Sequence, residues 1–174
     1  MLRSKGESSM EPDVRMEEQT RLLTRIRVLI GIVILGLIAS GASAIPLLAE
    51  SARISQLLHR SGQLPAAAAW MREIHRGLAA TYQAYPFIGY GTDWLAFGHF
   101  VIAIFFIGPL LEPRRNIWVI NAGIIACLLV IPTALILGEV RQLPLWWRVI
   151  DCAFGAFGVI PLWLARSWTL RLPG

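Results

Sequence analysis

His99 and Asp151 are the two residues whose chemistry stands out. They lie in Trp94–Leu111 and Trp146–Ala165, stretches that are otherwise almost entirely apolar. An imidazole beside a carboxylate passes protons, because histidine titrates near neutrality and the carboxylate orients its ring. The same pair binds a small polar or quinone-like headgroup. If both stretches are helices entering a membrane from the outside, the flanking tryptophans mark their depth. His99 lies five residues past Trp94, about 7–8 Å down, and Asp151 four past Trp147, about 6 Å down. Thr133 and Ser40 or Ser43 reach a similar level, and Pro132 frees the carbonyl of Leu128. These positions predict a polar layer in the outer third of a helix bundle. Its functional form is an outward-opening pocket of His99, Asp151, Thr133 and Ser43, with Tyr90 and Arg148 at its rim. Two structural forms stand beside it. In one, a His99–Asp151 hydrogen bond sets the packing of two helices. In the other, Arg148 pairs with Asp151 three residues on and points to the interface.

Other chemistries find less support. Cys127 and Cys152 lack the spacing of a zinc or dithiol motif and fall in apolar runs, as packing cysteines do. A bis-histidine haem needs two axial ligands inside the membrane; His59 and His75 lie in a polar connection, which leaves only His99. Glu73, His75, Asp93 and His99 do not form a metal set, since Glu73 and His75 are two apart and face differently on a helix. No metal and no cofactor is predicted, haem and a quinone being the two the polar layer brings to mind. No nucleophile elbow, HExxH or phosphate loop occurs, so no catalytic residue is assigned and the expectation leans away from an enzyme.

The elements that must hold these residues follow from composition. The chain has 174 residues, 56% hydrophobic and 16% charged, with mean hydropathy +0.59. Soluble domains carry about 25% charge. Residues 1–25 hold ten of the 27 charged residues, so the rest is poorer still. This excludes a disordered chain, a coiled coil and an ordinary soluble enzyme. It predicts an all-α membrane protein: four transmembrane helices in an antiparallel bundle, plus an amphipathic helix in a long outer loop. The organisation expected is a polar tail (1–25), a transmembrane domain (26–168) and a short tail (169–174). The spans are about 28–49, 94–111, 117–138 and 146–165, and runs this long cross a hydrocarbon layer of ~30 Å. Continuous apolar runs also exclude a barrel. The loop, 50–91, reads as two helical pieces broken at Gly62–Pro65. In the second piece Ala67, Met71, Ile74, Leu78 and Tyr82 recur on one face, against Arg72, Glu73, His75 and Arg76. Glu17 and Arg21 are spaced to pair on a helix that leads into the first span. Ala42-Ser43-Ala44 resembles a signal-peptidase site, but the region before it is long and carries five acidic residues. Gly36 and Ser40 on the first span, and Gly155 and Gly158 on the fourth, are small residues of the kind that let helices pack closely in lipid.

Basic residues set the orientation. Ten lie on the side of the termini: Arg3, Lys5, Arg15, Arg21, Arg25, Arg27, Arg114, Arg115, Arg166 and Arg171. Six lie on the other side, four of them in the long loop. The positive-inside rule then puts both termini in the cytoplasm. Trp94, Trp146 and Trp147 mark the outer ends; Trp118, Trp163 and Trp168 mark the inner ones. The basic residues are scattered at span ends rather than gathered on one face, so no nucleic-acid partner is expected despite a net charge of +5. The leading expectation is a non-enzymatic accessory or assembly protein of an inner (plasma) membrane, contacting lipid and partner membrane subunits or further copies of itself. The rival is a small proton-linked carrier or membrane-embedded enzyme built on His99 and Asp151.

Overall fold

The computed structural model describes residues 12–173; Arg3 and Lys5 lie outside them. The described chain is helical, with no strand. Seven α-helices follow one another: α1 (Pro12–Ala44), α2 (Leu47–Ser61), α3 (Pro65–Ala84), α4 (Tyr90–Phe105), α5 (Ile107–Leu111), α6 (Ile117–Val140) and α7 (Leu145–Thr169). A 3-10 turn at Pro86–Gly89 precedes α4. Four stretches are long and apolar enough to cross a membrane: Val14–Ala44, Pro86–Leu111, Ile117–Val140 and Leu145–Thr169.

Prolines account for where these helices differ from the sequence expectation. The first span was expected to reach Ala49, but α1 stops at Ala44 and α2 starts at Leu47. Pro46 has no N–H for the Ala42 carbonyl and disfavours helical geometry at Ile45. The second span is interrupted at Phe106, between α4 and α5. There Pro109 has no N–H for Phe105, the last residue of α4. At its other end α1 needs no separate lead-in helix. It begins at Pro12 and runs unbroken into the apolar segment, and Arg21 pairs with Glu17 at 2.6 Å. The predicted break in the connection lies between α2 and α3. Gly62 takes the left-handed conformation, φ 64°, that ends α2, and Pro65 opens α3, where its missing N–H is harmless.

The chain forms two units. One joins the described residues up to Ile34 with those from Ile104 onward; the other is Leu35–Ala103. In the first unit α6 and α7 make an antiparallel hairpin whose closest approach is at glycines. A Cβ on Gly155 would strike the Cys127 carbonyl, and one on Gly158 would lie 2.8 Å from the Cys127 sulfur. Gly123 makes room for Phe106 and Leu162 in the same way. Ile26, Ile30, Ile120, Leu162 and Ala165 are fully or almost fully buried around this hairpin. In the second unit α2 and α3 pair, burying Ser51, Ser55, Ala68 and Met71. Gly41 of α1 meets α4 so closely that a Cβ there would lie 2.9 Å from the Phe100 ring and 3.0 Å from the Ala96 carbonyl. Outside these contacts large apolar side chains are exposed along every span, Leu35, Phe105, Phe154 and Phe157 among them. So much apolar surface is unfavourable in water and is the expected face of a helix against lipid.

Candidate functional site

The polar residues inside the spans are mostly satisfied by their own helices. Thr133 donates to the Leu129 carbonyl at 2.7 Å. Ser43 donates to the Ser40 carbonyl at 2.9 Å. His99 Nδ1 lies 2.8 Å from the Leu95 carbonyl. A carbonyl only accepts, so Nδ1 carries the proton and, in the neutral ring, Nε2 is left as an acceptor. Back-bonding of this kind is how isolated hydroxyls and imidazoles avoid an unpaired donor in an apolar medium. His99 and Tyr90 belong to the second unit, Thr133, Arg148 and Asp151 to the first. The Asp151 carboxylate makes no hydrogen bond or ion pair among the described residues. Tyr90 is exposed and stands edge-on to Trp94, ring centres 5.9 Å apart.

Arg148 does not turn to Asp151. Its guanidinium Nη1 pairs with Glu139 and lies 3.4 Å from the Leu135 carbonyl, both on α6. Gly138 is why it reaches them: the Arg148 Cγ and Cδ lie 2.5 Å from where a Cβ on Gly138 would stand. The stem thus crosses α6 through a notch that only glycine leaves open, and the Arg148 side chain is 14% exposed. An arginine near the N-terminal end of α7 is held here by a partner across the α6–α7 turn, not by its neighbour one helical turn away. Removing the charge of Glu139 therefore exposes the energy of that pairing. Glu139 itself is largely exposed, which screens the pair, so Glu139→Gln is expected to cost about 1–2 kcal/mol. In thermal melts of the detergent-solubilised chain this appears as a midpoint lower by several degrees, and an unchanged midpoint rules the pairing out as a support.

The end of the hairpin away from the α6–α7 turn carries a second set of links. Arg166 Nε donates to Asn121 Oδ1 at 2.7 Å, tying α7 to α6, and its guanidinium lies 5.9 Å from the Trp163 ring centre. Arg25 stands 6.0 Å from the Trp168 ring centre. Arg27 reaches the ends of α5, donating to the Leu110 and Leu111 carbonyls at 3.2 and 3.3 Å. Sequence spacing pointed to none of the links between helices, because these join residues 45 to 143 positions apart and depend on which helix faces which. It also missed Gly41 and Gly138, while Gly36, which it singled out, is open: nothing lies within 4 Å of a Cβ placed there. Ser40 is likewise exposed. Gly155 and Gly158, by contrast, sit against Cys127 within the hairpin. Among the described residues no three His, Cys, Asp or Glu side chains group to hold a metal ion.

The helices define the class: a chain with four helices able to cross a membrane, compatible with a multi-pass membrane protein. Compared with family models, curated proteins and solved structures, it matches none.

Proposed function

We propose that the chain is a non-enzymatic accessory or assembly subunit of a plasma membrane, its four spans bundled antiparallel, with both termini in the cytoplasm. The α2–α3 connection would lie outside, with α3 as an amphipathic helix on the bilayer surface or over the bundle. One observation carries the reading: α1 presents Gly36, Ser40 and Ser43 on an exposed, uncovered face, while the neighbouring Gly41 takes up the contact within the chain. In lipid there is no hydrophobic drive between apolar helices, so close approach at small residues is what holds one helix to another. A second helix, from a partner subunit or a further copy, is the natural occupant of such a face. The Thr133 and Ser43 hydroxyls and the His99 Nδ1–H support the same reading, since each donates within its own helix and none of these donors needs a substrate.

Purification of the intact chain in mild detergent, with identification of stoichiometric membrane partners or a homo-oligomer, tests the proposal; a monodisperse monomer that meets no partner overturns it. The orientation has its own test. A reporter inserted after Gly62 is expected to be active only in its externally folding form, because the positive-inside rule places the long connection outside. A cytoplasmic signal there reverses every span. The rival reading, a proton-linked carrier or membrane enzyme on His99 and Asp151, draws on the open Nε2 of His99 and the unpaired Asp151. Proton flux in liposomes carrying the partner-free chain, lost in His99→Gln, would favour it.

A further inference from the structure

Two adjoining clefts open at the polar end of the first unit. The larger, about 370 Å³, has Arg27, Arg114 and Arg115 in its wall and Leu23, Leu111 and Leu172 as its apolar lining. The smaller, about 310 Å³, brings Arg15 and Arg171, and Gln19 and Pro173 line both. Among the described residues, five arginines thus face two carboxylates, Glu18 and Glu112, and little of their charge is neutralised. The side chains of Arg15, Arg114 and Arg171 make no hydrogen bond or ion pair among the described residues, and Arg115 reaches Glu112 only at 3.4 Å with both side chains exposed. Arg27 is fixed in place by the Leu110 and Leu111 carbonyls, which take up Nε and one hydrogen of Nη2. Its remaining N–H groups are free to donate.

Clustered, uncompensated guanidiniums select an anion, and their planar donor pairs match phosphate oxygens. The apolar lining selects which anion. A free phosphate gains nothing from leucine and proline, whereas a phospholipid lays its glycerol and first acyl carbons on them. The exposed Leu111 and Trp118 continue the apolar surface at this end of the spans. The shared wall selects further, because each cleft has its own arginines. We propose that the paired clefts bind one anionic phospholipid bearing two phosphodiesters joined by glycerol, one phosphodiester in each cleft. This rests on the reading that the chain spans a bilayer.

Each arginine near a membrane surface strengthens the hold on anionic lipid about five-fold. The test is titration of the delipidated full chain in neutral detergent with defined lipids, read by native mass spectrometry. Diphosphatidylglycerol is expected to bind at least about five-fold more tightly than phosphatidylglycerol, and phosphatidylcholine to give no specific adduct. The double variant Arg114→Gln/Arg171→Gln changes two exposed side chains, one per cleft, and is expected to lose about 25-fold in affinity while its thermal midpoint stays unchanged. Three results overturn the proposal: equal affinity for the one- and two-phosphate lipids, unaltered binding by the double variant, or displacement of the lipid by inorganic phosphate. Alkaline carbonate extraction of cell membranes separates this from the wider reading. A chain released by carbonate does not span the bilayer, whereas a chain that is retained but shows no lipid preference defeats the lipid site alone.

Discussion

Gly155→Leu is expected to abolish the folded protein. The Cβ of any side chain at this position would strike the backbone carbonyl of Cys127, and Val130 stands just beyond it at 3.2 Å. A flexible side chain could rotate aside, but a helix carbonyl cannot, so α6 and α7 must move apart. Overpacking a well-filled core usually costs about 1–3 kcal/mol. Here the obstruction is backbone and leucine adds three more carbons beyond the Cβ, so the cost lies at or above the top of that range. It is not confined to one site, because separation along this hairpin also loosens Gly158 on Cys127, Gly123 under Phe106 and Leu162, and the Asn121–Arg166 link. Against a total stability of ~5–15 kcal/mol this is a large fraction. Fluorescence-detected gel filtration of a tagged chain should show the monodisperse peak lost and protein level falling. A normal peak and an unchanged melt would mean that α6 and α7 do not meet at Gly155.

What was legible in the sequence was local. Four long apolar runs specify helices because a bilayer leaves the backbone no other open choice. The break between α2 and α3 was legible at Gly62 and Pro65, each suited to one end of a helix. The Glu17–Arg21 pair was legible because both residues lie on one helix at fixed spacing. Pro46 sits in apolar surroundings that suit lipid, while its geometry ends α1 at Ala44, so counting apolar length to Ala49 overran it. Pro109 interrupts the helix at Phe106, yet the second apolar stretch still ends at Leu111 as its length implies. The pairing of Arg148 shows the other limit. Asp151 is three residues away and Glu139 nine, yet Glu139 is the partner, because the α6–α7 turn folds it back and Gly138 opens the path. Helix-to-helix register of this kind is set by which faces meet, and no spacing within one helix encodes it. The polar layer was read from depth alone, and depth does not say which way a side chain turns. Thr133, Ser43 and His99 turn to their own backbones.

The same contrast between glycines makes the subunit reading testable. Gly36→Leu is expected to leave the isolated chain folded and to remove its partner. Nothing stands within 4 Å of a Cβ at Gly36, so the added side chain meets open space in the chain itself. Leucine also favours a helix over glycine by close to ~1 kcal/mol, which shifts the thermal midpoint slightly upward if at all. A helix packed against that face is in a different position. Close approach depends on the absent side chain, and four carbons inserted between two backbones hold them apart, removing the dispersion contacts on which association in lipid depends. Losing even ~2–3 kcal/mol there lowers affinity by roughly 30- to 150-fold, enough to empty the complex during purification. Ser40→Leu, on the same exposed face, should act alike, whereas Gly41→Leu should fail earlier, by unfolding, because its neighbours Phe100 and Ala96 belong to the chain. The measurement is paired: a melt of each variant alone, and its partner or oligomer yield from membranes. Full yield with Gly36→Leu and Ser40→Leu would show that no helix docks on α1. An unchanged melt with the yield gone would assign that face to a second protein helix, because bulk lipid accommodates a leucine as readily as a glycine.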